Sequence, residues 1–353
     1  MTGPLADNTL RIGEIIKIRS QIGSQGEEKN MAILDGQKVI AIEEHYYDED
    51  MIKHFTGVDA RTGGLVMDKL LEVGEERLKD MDACGIDVAL LSHGAPSTQR
   101  MDAETAIPVA KAANDHLAEI VKAHPDRYAG FANLPTMDPQ ASADELKRCV
   151  EELGFKGTMI HGLIGPDRLF PDNEMFWPIY AQAEALDMPI YIHPANPHPT
   201  VADIYIKDYV EKYPGFMNAG WGFTMETATI AIRMVLSGVF DKHPNLKVVL
   251  GHLGETLPFL VWRIDHVLNR PGNDGVEFRK IFTNNFYITT SGFFSDPALL
   301  CCIQEMGTDH ILFAIDYPFV ANQPGPVWME RLMLNSEDKA KILHGNAERL
   351  FNM

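Results

Sequence analysis

The residues best suited to chemistry in this sequence are acids and histidines that directly follow short apolar segments. In the first example, residues 39–42 are followed by Glu43, Glu44 and His45. Because side chains alternate across a strand, Ala41, Glu43 and His45 are predicted to share one face, and Glu44 is predicted to lie on the other. A carboxylate and an imidazole two residues apart at a strand end form half of a divalent-metal site. The pattern therefore predicts that Glu43 and His45, and not Glu44, bind metal.

Potential metal ligands also end four later apolar segments, at residues 157–161, 190–193, 248–252 and 311–316, and these ligands are His161, His193, His252 and Asp316. One histidine after a strand is usually structural, whereas a co-directed set is typical of a catalytic metal site. Mixed nitrogen and oxygen donors suit Zn²⁺ or Mn²⁺ and leave room for water or substrate. We therefore predict that one such ion is bound by Glu43, His45, His193 and Asp316.

A second candidate group lies around His252. If a helix begins after the sixth strand, His252 and Glu255 lie on one helical face, and a carboxylate-oriented histidine is an acid/base pair. Arg263 follows His252 by eleven residues. That spacing is about 16 Å of helical rise, so Arg263 reaches the site only if the helix breaks or tilts inward. The alternative for Arg263 is a packing or salt-bridging role.

The elements that must position these residues are eight strand candidates, interleaved with helical segments. The candidates are residues 39–43, 88–92, 128–133, 157–161, 190–193, 247–251, 286–290 and 311–316. Alternation of strands and helices predicts a parallel sheet, and eight strands close a (β/α)8 TIM-type barrel whose active site lies at the carboxyl ends of the strands. An open doubly wound sheet is the alternative, but no glycine-rich turn follows the first strand. Residues 142–145 also match a helix capping box.

Length and composition narrow the function classes. The chain has 353 residues, a formal net charge of −19 and four cysteines without CxxC spacing. The acidic balance argues against a nucleic-acid partner, and there is no apolar run long enough to cross a membrane. Reduced thiols and the lack of a signal-peptide pattern predict a cytoplasmic protein. Residues 1–36 are predicted to be an N-terminal extension or arm, and residues 37–353 a single barrel domain.

Several motifs occur in the order typical of one family. They are Ile42-Glu43-Glu44-His45, Tyr191-Ile192-His193-Pro194, Gly251-His252-Leu253-Gly254-Glu255, Trp262-Arg263-Ile264-Asp265 and Asp316-Tyr317-Pro318-Phe319. Over residues 39–351 the chain resembles the amidohydrolase-related branch of metal-dependent barrels. That branch contains γ-resorcylate, 2,3-dihydroxybenzoate and 5-carboxyvanillate decarboxylases.

This resemblance implies a metal-dependent, non-oxidative decarboxylase of a hydroxylated aromatic acid, without an organic cofactor. It implies the same four metal ligands, with His252, Glu255 and Asp316 in the catalytic set and Arg263 in substrate binding. In such enzymes the ring is protonated, by Asp316 or a neighbouring group, before CO₂ leaves. The resemblance also implies a homo-oligomer, either a dimer or a tetramer.

Three positions depart from the γ-resorcylate enzymes. His161 stands where they carry asparagine, Phe293 lies in a segment where they carry Ser-Gly-Asn-Phe-Arg, and Tyr317 replaces a tryptophan. We expect His161, Phe293 and Tyr317 to contact the substrate and to influence its identity. The runner-up function is a single-metal hydrolase of an ester, lactone or amide, and the third is a non-catalytic binding barrel. The Glu-x-His start and the absence of a lysine after strand four favour the decarboxylase branch.

Overall fold

The computed structural model describes residues 33–56, 60 and 64–353. Every predicted strand segment holds one parallel strand, within a few residues of its expected bounds. The strands are β1 (Ile40–Tyr46), β2 (Val88–His93), β3 (Tyr128–Gly130), β4 (Thr158–His161), β5 (Ile190–His193), β6 (Val248–Leu250), β7 (Phe286–Thr289) and β8 (Ile311–Leu312). The predicted N-terminal extension lies, up to residue 32, outside the described residues.

The strands form a closed barrel, as predicted. Regular ladders join β1-β2-β3 and β4-β5-β6-β7-β8. Backbone hydrogen bonds continue across both gaps between these sets. Ala132 N–H, after β3, donates to the Gly157 carbonyl at 2.9 Å, and Asp316 N–H, after β8, donates to the Glu43 carbonyl of β1 at 3.0 Å. Because closure brings all eight carboxyl ends to one face, the side chains that follow the strands meet there.

Helices surround the barrel. They are α1 (Leu65–Leu71), α2 (Glu75–Cys84), α3 (Ala103–Ala123), α4 (Pro139–Glu151), α5 (Trp177–Ala185), α6 (Pro199–Tyr205), α7 (Lys207–Val210), α8 (Gly222–Leu236), α9 (Val239–Lys242), α10 (Leu257–Leu268), α11 (Phe278–Asn285), α12 (Asp296–Met306), α13 (Pro324–Arg331), α14 (Ser336–Ala340) and α15 (Asn346–Phe351). A π-helical turn, Lys341–Gly345, joins the last two. Among the described residues, no helix combines the length and the apolar character needed to cross a membrane.

Alternate strand residues build two apolar layers. One buried cluster contains strand residues such as Ala41 and Ile192 together with helix residues such as Leu117, so it lies between barrel and helices. The other contains Ile42 and Tyr191 with their counterparts from other strands, and it fills the barrel interior. Because Tyr191 points inward, His193, two residues later, also points inward at the barrel mouth.

The helix α4 begins at a different residue from the predicted one. The Asp138 side chain accepts a hydrogen bond from Ala141 N–H at 3.0 Å, and Pro139 occupies the first helical position. Ser142 is buried inside the helix, so the predicted capping box at residues 142–145 is wrong. An Asp-Pro pair is the stronger start signal because proline tolerates the first turn, where its missing N–H is not needed.

Candidate metal centre and active-site cavity

Four donor side chains converge at the mouth of the barrel. Glu43 and His45 come from β1, His193 from β5 and Asp316 from the segment after β8, and each places one ligand atom within 4.8 Å of the others. His45 Nε2 lies 3.2 Å from Asp316 Oδ1, and His193 Nε2 lies 3.4 Å from Glu43 Oε1. The structure therefore brings together the four residues that the sequence singled out as ligands.

A β-bulge in β1 aims Glu43 and His45 into the mouth. The register between β1 and β2 shifts between Ala41 and Glu44. Ile42 lies in the interior cluster and Ala41 in the outer one, so simple alternation would send Glu43 outward. The bulge reverses that direction, which is a common use of bulges beside active sites. Glu43 and His45 do share a face, but Ala41 does not share it, and that part of the prediction is wrong.

The donor atoms fit a divalent cation. Glu43 Oε1, His45 Nε2 and Asp316 Oδ1 are buried and have no hydrogen-bond partner within the described part of the chain. Unsatisfied buried polar atoms are rare because each costs about 1–3 kcal/mol. A cation bound between them would satisfy all three atoms at once. Two imidazoles and two carboxylates suit Mn²⁺ or Zn²⁺.

The other oxygen of Glu43 is held by three hydroxyl groups. Glu43 Oε2 accepts hydrogen bonds from Tyr191 and Ser291, and from Thr289 Oγ1 at 3.5 Å. These bonds orient the carboxylate so that Oε1 faces the cluster, and such outer-shell bonds tune a metal site. Burial raises the pKa of Glu43, but His45 and the neighbouring histidines outweigh burial and hold that pKa below its usual range.

Glu44 lies on the opposite side of β1. Its Oε1 accepts a hydrogen bond from Ile315 N–H at 3.0 Å, and its charge interacts with the buried Arg77 of α2. Burial raises the pKa of Glu44 to about 8 against the effect of Arg77. Tyr317 lies on this same side of the barrel wall, since its ring centre lies 4.7 Å from the Arg77 guanidinium carbon.

The hydrogen bonds of His161 fix the tautomer of His193. His161 Nε2 lies 2.9 Å from the His93 carbonyl oxygen, which only accepts, so Nε2 of His161 carries a hydrogen. Burial lowers the pKa of both imidazoles, to about 4 for His193, so both are neutral. His161 Nδ1 therefore accepts the hydrogen bond from His193 Nδ1–H at 3.0 Å. This leaves the lone pair of His193 Nε2 facing the cluster.

His252 and Glu255 form the predicted pair, but without the predicted helix. His252, Leu253, Glu255 and Thr256 all have left-handed φ angles, between 49° and 68°, and α10 begins only at Leu257. This tight loop places His252 Nδ1 2.9 Å from Glu255 Oε1. His252 Nε2 lies 3.7 Å from Asp316 Oδ2. Left-handed backbone at four non-glycine positions is costly, and such strain is typical of functional sites.

Two carboxylates lie beside His252. Burial lowers the pKa of His252, but the carboxylates of Glu255 and Asp316 raise it well above its usual range. Glu255 is itself buried and accepts a hydrogen bond from Thr224 Oγ1 at 2.7 Å. Glu255 was expected in the catalytic set, but it lies behind His252 and is not part of the described cavity wall.

One cavity of about 760 Å³ opens over the cluster. Its walls include His161, His193, His252 and Asp316, together with the aromatic rings of Phe223 and Phe319. Phe319 also packs edge-on against His45, with ring centres 5.6 Å apart. The cavity thus joins the metal ligands to an apolar wall suited to an aromatic ring.

Three residues expected to bind substrate are not in the described wall of this cavity. Tyr317 points outward to Arg77 because its neighbour Asp316 points inward. Phe293 is exposed after β7. Arg263 is exposed on α10, which is unbroken from Leu257 to Leu268, and it is not part of the cavity wall. The expected contacts of these three residues with substrate are therefore not seen in the single chain.

Several supporting residues were missed by the sequence argument. Tyr191 lies two residues before His193 on the same strand, and Thr289 and Ser291 stand in the same relation on and after β7. Their period-two spacing was the signal that could have identified them. Phe319 gave no comparable signal because it lies in an irregular segment after β8, and Phe223 gave none because it lies in the first turn of α8, away from any strand end.

A barrel with a buried cluster of mixed nitrogen and oxygen donors at its mouth defines a metal-dependent barrel enzyme. The amidohydrolase family model matches residues 46–353. The gamma-resorcylate decarboxylase of Polaromonas sp. strain JS666 is 40% identical over 327 residues, covering 89% of this chain and 98% of that protein. The chain belongs to the amidohydrolase family.

Solved structures of similar proteins support this family assignment. The dihydroxybenzoic acid decarboxylase from Polaromonas sp. JS666, with bound manganese and the inhibitor 2-nitroresorcinol, has a TM-score of 0.80 at 38% identity, covering 90% of this chain and 97% of that chain. The 5-carboxyvanillate decarboxylase from Sphingomonas paucimobilis has a TM-score of 0.82 at 33% identity, covering 90% and 99%. The family resemblance found in the sequence motifs is therefore confirmed.

The two adjacent glutamates provide a matched test of the cluster. Glu43→Gln is expected to lower bound metal strongly, because it removes a charged ligand atom. Glu44→Gln is expected to keep metal content, because the amide oxygen still accepts from Ile315 N–H. Elemental analysis of both proteins after dialysis against Mn²⁺-free buffer measures the difference. Equal metal content in the two variants would contradict the assignment of Glu43.

His161 provides a second test. His161→Leu removes the acceptor for His193 Nδ1–H and is expected to weaken Mn²⁺ binding about 10–100-fold, the usual effect of losing an outer-shell partner. His161→Asn retains an acceptor oxygen and is expected to recover most of that affinity. Titration calorimetry gives the dissociation constants, and ¹⁵N spectra report the His193 tautomer. The assignment is wrong if the leucine variant binds Mn²⁺ as tightly as the wild type.

Proposed function

We propose that this chain is a metal-dependent, non-oxidative decarboxylase of a hydroxylated aromatic carboxylic acid. The observation that carries the proposal is a set of buried ligand atoms on Glu43, His45 and Asp316 that have no hydrogen-bond partner among the described residues. They lie beside the His252–Glu255 pair at the cavity that His252 and Asp316 line. The similarity to decarboxylases over nearly their whole length supports the same reaction.

Glu43, His45, His193 and Asp316 would hold one divalent ion, and no organic cofactor is needed. When bound, such an ion fixes the geometry of an anionic substrate and polarises its oxygens. Manganese is the metal we favour over zinc, because the similar dihydroxybenzoic acid decarboxylase contains it. The hydroxylated ring would lie against the apolar side of the cavity, near Phe319.

The proton needed for the reaction would come from His252. Its Nε2 faces Asp316 Oδ2, whereas the other Asp316 oxygen, Oδ1, faces His45 Nε2. Asp316 therefore lies between His252, which would supply the proton, and the ring that would receive it. A proton passed to the ring carbon that carries the carboxylate creates an electron sink. When the bond to the carboxyl group breaks, its electron pair restores the aromatic ring and CO₂ leaves.

The charges around His252 favour decarboxylation over hydrolysis. A hydrolase on this scaffold needs a group that accepts a proton from the attacking water. Glu255 and Asp316 raise the pKa of His252, which favours a role for His252 as proton donor over a role as acceptor.

We further propose that residues 37–353 form one catalytic domain and that residues 1–36 are an extension or arm.

Exposed aromatic side chains, including Tyr205, Tyr209, Phe259 and Trp262, are consistent with a homo-oligomer, either a dimer or a tetramer. The four unpaired cysteines are consistent with a cytoplasmic location. Light scattering of the purified protein and cell fractionation test these two expectations, and a monomer or a secreted protein would contradict them.

The reaction class is tested with Mn²⁺-loaded protein and a panel of ortho-hydroxybenzoates that includes 2,6-dihydroxybenzoate. We expect CO₂ release, and incorporation of labelled bicarbonate into the matching phenol in reverse. An ester and lactone panel in ¹⁸O-water is the parallel assay. Uptake of ¹⁸O into product without CO₂ release from any benzoate would overturn the proposal in favour of a hydrolase.

The proton donor is tested at His252. His252→Ala is expected to lower turnover about 10²–10⁴-fold, the range for loss of an acid/base group, while metal content is retained. Glu255→Gln removes a charge that raises the pKa of His252. Activity that requires protonated His252 is lost as pH rises through this pKa, so the alkaline limb of kcat is expected to move to lower pH. Metal loss in His252→Ala, or an unmoved alkaline limb in Glu255→Gln, would contradict this role.

A further inference from the structure

The barrel closes at a seam between β1 and the chain that follows β8, residues 313–318. Three of the four proposed metal ligands lie on its two sides, Glu43 and His45 on β1 and Asp316 on the other. Separate backbone hydrogen bonds join the sides. Asp316 N–H donates to the Glu43 carbonyl at 3.0 Å, and His45 N–H donates to the Tyr317 carbonyl at 2.7 Å. The relative position of these ligands therefore depends on what holds the seam.

Asp316 has a strained backbone in this seam. Its φ angle is 70°, in the left-handed region that residues other than glycine rarely adopt. The turn brings Asp316 to the cavity and sends the Tyr317 side chain to the outer side of the barrel wall. Such a conformation persists where the surrounding structure enforces it. A contact that holds the residues beside Asp316 thus sets where its carboxylate lies.

Arg77 of α2 lies on the outer side of the seam. It is only 1% exposed, and no other arginine or lysine among the described residues is buried. Arg77 Nη1 donates to the His45 carbonyl at 2.7 Å, and the guanidinium carbon lies 4.7 Å from the centre of the Tyr317 ring. Because His45 N–H is bonded to the Tyr317 carbonyl, Arg77, His45 and Tyr317 form a closed set of three contacts.

Two further contacts hold the chain before and after Asp316. Glu44 Oε1 accepts a hydrogen bond from Ile315 N–H at 3.0 Å, which fixes the residue just before the ligand. Asn322 Nδ2 donates to Asp80 Oδ2 of α2 at 2.7 Å. Asp80 lies about one helical turn beyond Arg77. The segment is thus anchored to β1 and to the helix that carries Arg77.

The guanidinium of Arg77 is a costly group to bury. Packing alone would favour an apolar side chain of similar volume. Arg77 Nη2 has no hydrogen-bond partner among the described residues, so the buried group is only partly satisfied. The hydrogen bond that Arg77 does make goes to the backbone of a proposed metal ligand, His45. Its burial is therefore explained by the segment that it holds.

We propose that Arg77 is a positioning residue that sets the place of the Asp316 carboxylate at the metal centre, acting through His45 and the Tyr317 ring. This inference rests on the proposed metal-dependent function and adds a residue outside the cavity to its machinery. It also gives Tyr317 a role on the outer side of the barrel wall.

The arginine is tested in the double variant Glu44→Gln/Arg77→Met, so that the buried Glu44 carboxyl group does not lose the charge beside it. Relative to Glu44→Gln alone, the dissociation constant for Mn²⁺ measured by calorimetry is expected to rise about 10–100-fold, the usual effect of losing outer-shell support. The electron paramagnetic resonance spectrum of bound Mn²⁺ is expected to change, because it reports the arrangement of the ligands. At saturating Mn²⁺, kcat is expected to fall more than KM changes, because Asp316 also faces His252.

Arg127→Met is the matched control. Arg127 Nε donates to the Asp87 carbonyl at 2.8 Å, and its Nη2 donates to the Ile86 carbonyl at 3.1 Å. These carbonyls precede β2, at the end of the barrel opposite the metal centre. Arg127→Met is therefore expected to lower the urea midpoint while the Mn²⁺ affinity and spectrum stay those of the wild type.

A pair of variants at Tyr317 provides an independent test. Tyr317→Leu removes the ring that packs on the guanidinium and is expected to weaken Mn²⁺ binding in the same direction. Tyr317→Phe keeps the ring and is expected to restore the wild-type affinity and spectrum. This pair decides the matter if the double variant does not fold.

Three outcomes overturn the role of Arg77. The double variant binds Mn²⁺ as tightly as Glu44→Gln with the same spectrum, its loss of affinity is matched by an equally destabilised Arg127→Met, or Tyr317→Leu binds like Tyr317→Phe. If the wild type binds Mn²⁺ but releases CO₂ from no benzoate, the proposed function fails separately. The Mn²⁺ affinities and spectra then still support or overturn the role of Arg77.

Discussion

The structure depends on a concentration of buried, unpaired ligand atoms at the barrel mouth. Glu43 and Asp316 bring two carboxylates to one point, and His45 and His193 add two imidazole nitrogens. Without a cation, this arrangement leaves Glu43 Oε1 and Asp316 Oδ1 buried with no hydrogen-bond partner among the described residues, and burial of an uncompensated charge is expensive. The carboxylates of Asp316 and Glu43 raise the pKa of His45 to about 9 despite burial, so a proton is held where the metal would sit. A bound divalent ion would give these oxygens a partner and would compensate their buried charge.

The surrounding residues make sense as supports for that arrangement. Three hydroxyl groups hold the outer oxygen of Glu43, and Ser92 Oγ lies 3.1 Å from His45 Nδ1. His161 fixes the hydrogen of His193, and it also lines the cavity in which it was expected to contact the substrate. A precise metal site needs this second layer of contacts as much as its ligands.

Much of the fold and of the candidate site was predictable, because both follow from local periodicity. Parallel strands in a closed barrel end at one face, so a strand that ends in His193 must deliver it near Glu43. The failures have a common cause in irregular backbone. The bulge in β1 and the left-handed turn from His252 to Thr256 have no periodic signature. Arg263 was assigned through the family motif, but its side chain is exposed on α10, outside the described cavity wall.

The central claim is that one metal ion occupies the point shared by Glu43, His45, His193 and Asp316. The most direct test is anomalous diffraction from crystals grown with Mn²⁺, recorded above and below the manganese absorption edge. We predict one strong peak about 2 Å from Glu43 Oε1, His45 Nε2, His193 Nε2 and an Asp316 oxygen, the usual length for bonds to such ligands. No peak at this point, or a peak bonded to His252 or Glu44 instead, would contradict the account.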